Sequence, residues 1–210
     1  DDTKDLVCSY KINMAFYEVF GKEGYELLEK TIDYIPEDIP IILDGKRNDI
    51  GNTAEKYAES IFKRLKVDAT TVNPYLGSDG IKPFLKYKDK CSFILCRTSN
   101  PSAKDLQDLK SNNKSLFEIV AEKIKELNKL GCCGAVVGAT YPGELKKIRK
   151  ILGKDIPILL PGIGKQGGDL ENSVKFGGKN TIIVSARSII YAKNPREEAK
   201  KLRDEINNYR

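Results

Sequence analysis

The chain has 210 residues, 40% apolar and 31% charged, and its 36 basic and 30 acidic side chains leave a net charge of +6. That length supports one sizeable core burying about 70% of the unfolded surface, and no apolar run approaches the roughly 18 residues of a membrane span. Histidine is absent, which excludes Ser-His and Cys-His nucleophile pairs and removes the commonest zinc ligand. The charges are spread along the chain instead of clustering with aromatics, so no nucleic-acid partner is expected. A modest basic excess suits a phosphorylated small molecule. The opening Asp1-Asp2-Thr3-Lys4-Asp5 lacks the basic start and apolar run of a signal peptide, and a cytoplasmic location is expected. Cys8, Cys91, Cys96, Cys132 and Cys133 contain no C-x-x-C pair and lie mostly in apolar runs; they read as buried thiols of a reducing compartment.

Short runs rich in Val and Ile recur at Val7–Ile12, Ile39–Leu43, Ala69–Val72, Ser92–Cys96, Cys133–Val137, Ile156–Leu160 and Thr181–Val184, the pattern of strands buried on both faces. Between the second and third, Ala54, Tyr57, Ala58, Ile61, Phe62 and Leu65 form one helical stripe. Helix starts are expected at Asn52 with Glu55, at Ser115 with Glu118, and at Asn194 with Glu197 behind Pro195. The basic groups Lys146-Lys147 with Arg149-Lys150, and Lys200-Lys201 with Arg203, read as solvated helix faces. Seven strand-helix units predict a parallel α/β sheet with helices outside. Periodicity leaves an open doubly wound sheet and a closed barrel both possible, although about 30 residues per unit fits a (β/α)8 barrel with one unit missing. The first residues read as the tail of a helix, so the expected domain spans 1–210 with its first strand absent from the chain.

Asp44 and Lys46 stand two apart at the end of the second run, so at strand periodicity they share a face. In a barrel that position is the C-terminal rim, where active sites sit. Acid and base side by side keep each other charged, and Asp49 adds a carboxylate within a turn of Lys46. By itself, Asp-x-Lys is also the pattern of a strand-end ion pair.

The whole string Leu43-Asp44-Gly45-Lys46-Arg47-Asn48-Asp49-Ile50-Gly51-Asn52-Thr53 resembles the signature of the orotidine 5′-monophosphate decarboxylases. The resemblance continues through Ser9–Glu18, Val72–Asp79, Arg97–Pro101, Pro161–Asp169 and Val184–Ile189, and is nearest to the branch holding many bacterial and the malarial enzymes. It implies a (β/α)8 TIM barrel acting on orotidine 5′-monophosphate (OMP) to give uridine 5′-monophosphate (UMP), without metal or cofactor. By the same resemblance Lys46 matches the lysine that protonates C6, and Lys11, Asp44 and Asp49 match the rest of the charge network. Asp49, Ile50 and Thr53 match residues that reach a partner's site, implying a homodimer. Asn13 falls near the ribose, Ser99 on the pyrimidine edge, Pro161 along the pocket, and Gln166 and Arg187 on the phosphate. The family's ribose-binding aspartate of the first strand has no counterpart here, and Ala186 stands where the family often has glycine.

Gly162-x-Gly164-x-x-Gly167 also fits a dinucleotide fingerprint, yet the next strand ends in Ser185-Ala186-Arg187 instead of the acidic residue that fingerprint expects. Both readings use glycine amides to cradle phosphate. The competing expectations are a magnesium-dependent sugar-phosphate decarboxylase or aldolase of the same superfamily, and a catalytically silent nucleotide-binding fragment.

Overall fold

A computed structural model of the protein describes residues 1–163 and 169–210. They divide into two compact units, one of Cys8–Ile94 with Leu130–Cys132, the other of Asp1–Val7, Leu95–Lys129 and Cys133–Arg210.

In the first unit β1 (Tyr10–Asn13), β2 (Ile41–Arg47), β3 (Ala69–Val72) and the start of β4 (Cys91–Arg97) pair in parallel and in that order. All four residues of β3 are buried, as expected for a strand covered on both faces. The short α1 (Ala15–Glu18) and α2 (Gly21–Tyr34) return the chain from β1 to β2, and α3 (Gly51–Glu59) returns it toward β3. Ala54, Ala58, Ile61, Phe62 and Leu65 of the expected stripe are buried. The helix widens at Ser60–Arg64 into a π turn, in which Leu65 N–H donates to Ser60 O at 3.0 Å. α3 begins at Gly51 behind an extended Ile50 without a side-chain cap. The expected Asn52–Glu55 start is therefore corrected: Asn52 already lies inside the first turn and cannot adopt the extended backbone of a cap. The unit is completed by α4 (Ser78–Ile81).

The second unit takes the end of β4, a two-residue-per-strand hairpin of β5 (Lys110–Ser111) and β6 (Lys114–Ser115), and the parallel strands β7 (Cys132–Val137, all but its first residue), β8 (Ile158–Pro161) and β9 (Thr181–Val184). Its helices are α5 (Lys104–Gln107), α6 (Leu116–Leu127), α7 (Pro142–Leu152), α8 (Leu170–Gly177), α9 (Arg187–Ile190) and α10 (Pro195–Tyr209). Here the expected starts form: Ser115 N–H donates to Glu118 Oε2 at 3.0 Å, and Asn194 Oδ1 accepts from Glu197 N–H at 3.2 Å. Each such cap supplies about 1 kcal/mol. α7 buries Leu145, Ile148 and Leu152, and each such side chain contributes about 1.5–3 kcal/mol.

Two sequence readings are corrected by burial. Arg149 is not part of a solvated face: its guanidinium donates to the carbonyls of Gly177, Gly153, Ile156 and Asn180 and to Thr181 Oγ1, and desolvation lowers its pKa. Of the cysteines only Cys96 and Cys133 are buried, whereas Cys8 and Cys132 are exposed and Cys91 is intermediate. Cys8 stands ahead of β1, which begins only at Tyr10, and Cys132 takes the first position of β7.

Candidate active site

The first unit assembles the charge network. Asp44 is 8% exposed on β2, and both its carboxylate oxygens are engaged: Lys11 Nζ of β1 lies 2.7 Å from Oδ2, and Lys46 Nζ 2.7 Å from Oδ1. Burial pushes the Asp44 carboxyl upward, but the Lys11 charge and the hydrogen bonds from Lys11 and Lys46 outweigh it, leaving the pKa below the ordinary 3.8. The carboxylate thus remains an anion between two ammonium groups.

Backbone geometry sets the position of Lys46. Between Leu43 and Arg47 the pairing of β2 with β3 shifts register, and Lys46 takes φ 47°, a left-handed conformation for a residue with a Cβ. Such a residue costs about 1–2 kcal/mol. It is held by Thr71 of β3, whose Oγ1 accepts from Lys46 N–H at 2.9 Å and donates to Asp44 Oδ1 at 2.8 Å. One buried hydroxyl thereby ties the lysine backbone to the carboxylate. Thr71 was not legible in the sequence, because its role comes from strand pairing across 25 residues.

The neighbouring candidates follow the same strand ends. Asn13 closes β1, with its Oδ1 accepting from Ala15 N–H at 3.1 Å. Asp49 lies just after β2 and accepts from Ile50 N–H at 2.8 Å, while Ile50 and Thr53 are exposed, Thr53 lining the same cavity as Arg47. Arg47, the last residue of β2, is paired with Glu18 and stands 5.6 Å from the Tyr57 ring. With Met14, Leu43, Gly45 and Ile61 it lines a cavity of about 260 Å³.

In the second unit Ser99 follows β4, Pro161 ends β8, and Arg187 opens α9 after β9 with its side chain exposed. Ser99 is built into a tight corner. A Cβ on Gly138 would lie 2.8 Å from Ser99 Cβ, so only glycine permits this approach. Buried Arg97 braces the segment from behind: it reaches Asp108 at 3.2 Å and lies 4.2 Å from the Tyr141 ring, while Gln107 Oε1 accepts from Thr98 N–H at 2.9 Å. Gln166 and most of the Gly162-x-Gly164-x-x-Gly167 string lie outside the described residues.

Parallel strand-helix units that carry lysines and carboxylates at the C-terminal ends of their strands define an α/β enzyme of the (β/α)8-barrel class. The sequence model described as "Orotidine 5'-phosphate decarboxylase / HUMPS family" matches residues 1–202, and the chain belongs to that family. It is 46% identical to an orotidine 5′-phosphate decarboxylase of Dehalococcoides mccartyi over 99% of this chain and 82% of that protein. Among solved structures, UMP synthase of Leishmania donovani matches with a TM-score of 0.94 and 42% identity over 99% of this chain; the chain spans about half, 49%, of that longer protein. Orotidine 5′-monophosphate decarboxylase of Methanocaldococcus jannaschii, complexed with the inhibitor BMP, matches at TM-score 0.80 and 27% identity over 98% of this chain and 89% of its own.

Proposed function

We propose that this chain decarboxylates orotidine 5′-monophosphate to UMP and CO2 as a single cytoplasmic domain spanning 1–210, without metal or cofactor. The observation that carries the reading is the Lys11–Asp44–Lys46 network, tied through Thr71, at the strand ends of a chain belonging to this family. Loss of CO2 leaves a localised carbanion at C6 of the pyrimidine, and fixed cationic charge aimed at that carbon lowers the barrier. Lys46 supplies the charge and then the proton. Asp44 orients Lys46 and Lys11, with Asp49 as the further carboxylate of the network. Asn13 serves the ribose, Ser99 reads the pyrimidine edge and Pro161 lines the pocket. Gln166 and Arg187 grip the phosphate, whose remote binding energy orients the reacting ring.

The working unit is a homodimer in which Asp49, Ile50 and Thr53 complete the partner's site. Exposed apolar side chains in the same unit are compatible with it: Phe16, Val19, Phe20, Ile50, Tyr75 and Leu76 are all at least 47% exposed. The test is an ultraviolet assay of OMP consumption with divalent metal chelated. Turnover under chelation is the expected result. Turnover only with magnesium would assign the chain to the sugar-phosphate side of the superfamily, and nucleotide binding without turnover would make it a silent fragment.

A further inference from the structure

Away from the charge network, two cysteines meet. Cys91 is the first residue of β4 and Cys132 the first of β7, and these strands are neighbours in the sheet. At their far ends Gly138 N–H donates to Arg97 O at 2.7 Å; counting six residues back along each strand leads to Cys132 and Cys91. That register sets the two cysteines side by side at the starts of neighbouring strands. The chain entering β7 is pinned beside the chain entering β4. The Lys88 ammonium donates to Leu130 O, and Gly131 packs so closely that a Cβ there would stand 2.7 Å from Leu85 O.

The remaining thiols are placed differently. Cys133 is buried, with its backbone N–H donating to Asn128 Oδ1 at 2.9 Å. Cys96 is buried against Phe117 O, and desolvation drives its pKa far up. Cys8 is exposed ahead of β1. Cys132 combines exposure with a second thiol in reach.

We propose that Cys91 and Cys132 form an oxidant-reactive dithiol that hydrogen peroxide converts to a disulfide bridging the starts of β4 and β7. Adjacent strands lie about 4.8 Å apart, within the range a disulfide spans. The neighbouring Cys91 thiol outweighs burial and draws the Cys132 thiol down to about 7, which favours thiolate at neutral pH. The Cys132 thiolate attacks one peroxide oxygen and the O–O bond breaks. The leaving oxygen departs as hydroxide, takes up a proton to become water, and leaves Cys132 as a sulfenic acid. The Cys91 sulfur then attacks the Cys132 sulfur, forming S–S and breaking S–O. The displaced oxygen leaves as a second water, carrying the Cys91 proton. Two thiols are oxidised by two electrons and one peroxide is reduced to two waters.

The experiment treats the purified protein with limiting hydrogen peroxide, blocks residual thiols by alkylation, and maps peptides without reduction. The expected result is one intramolecular linkage between the Cys91 and Cys132 peptides, lighter by two hydrogens and reversed by dithiothreitol. It should persist in Cys133→Ala, which separates the adjacent cysteine from the assignment. Cys91→Ser should instead accumulate a sulfenic acid at Cys132, trapped by dimedone, while Cys132→Ser should leave Cys91 reduced at the same dose. If Cys91 and Cys132 both remain alkylatable after the peroxide is consumed, or if the linkage joins other cysteines or two chains, the proposal is overturned.

Discussion

Replacing Thr71 with Val removes the hydroxyl while keeping the side chain's shape. Thr71 is 1% exposed and makes two hydrogen bonds, accepting from Lys46 N–H at 2.9 Å and donating to Asp44 Oδ1 at 2.8 Å. A hydrogen bond to a charged group contributes about 1.5–3 kcal/mol, and a backbone N–H left without its partner costs about 1–3 kcal/mol. Partial exposure around Lys46 lets water recover some of this, so a loss of about 2–4 kcal/mol in unfolding free energy is expected. The effect on catalysis comes from Lys46, whose left-handed backbone is held by that hydroxyl. Released from it, the residue relaxes and its ammonium shifts; a misplacement of about 1 Å can cost roughly 100-fold. Denaturant unfolding and the ultraviolet decarboxylation assay measure the two effects separately. We expect Thr71→Val to lower kcat by roughly 10- to 100-fold with a smaller change in KM, and Thr71→Ser to restore most of it, since serine keeps donor and acceptor. A folded Thr71→Val protein with the parent kcat would refute the argument that this hydroxyl positions the lysine.

Other outcomes follow from the same residues. On the proposed mechanism Lys46→Ala removes cation and proton donor together and should lower kcat by at least roughly 10²–10³, while UMP should still bind in equilibrium dialysis. Arg187→Ala should raise KM for the phosphorylated substrate by roughly 10- to 100-fold, the value of a charge-assisted pair, and leave the slow turnover of the phosphate-free nucleoside almost unchanged in a parallel assay. Mixing inactive Lys46→Ala and Asp49→Ala subunits should return at most about half the parent activity per heterodimer, with subunit exchange checked by native mass spectrometry. Asp44 is held below its ordinary 3.8, so its contribution to stability is complete above that pH and is lost as pH falls through the folded value. Asp44→Asn should therefore flatten the acid limb of a thermal-melting profile.

The strands were readable because a parallel sheet buries them on both faces, and all seven expected runs carry one, with ends shifted by a few residues. Asp44 and Lys46 were readable for the same reason, as a period of two is local information. What holds Lys46 was not: the register shift and the Thr71 bridge exist only once β2 and β3 pair. The β5–β6 hairpin has two residues per strand, too few for an alternating pattern, and its sequence signal is confined to Asn112 and Asn113, which tolerate the turn at φ 50° and 63°. The Asn52–Glu55 pattern does not cap α3 because the chain has already entered the helix at Gly51. Arg149 looked like its solvated neighbours because a basic run does not reveal which member faces the ends of later strands. Cys8 and Cys132 are exposed because each stands at or before the start of its strand, where an apolar neighbourhood in sequence does not mean burial.

Arg149 also bears on how the protein comes apart. A single guanidinium gathers carbonyls from the end of α7, from the approaches to β8 and β9, and from the end of α8. None of these segments can open alone without stranding part of that cation's hydrogen bonding. Amides of α7, β8 and β9 should therefore exchange with solvent as one cooperative block, protected together and released together, while α9, short and exposed, frays ahead of them.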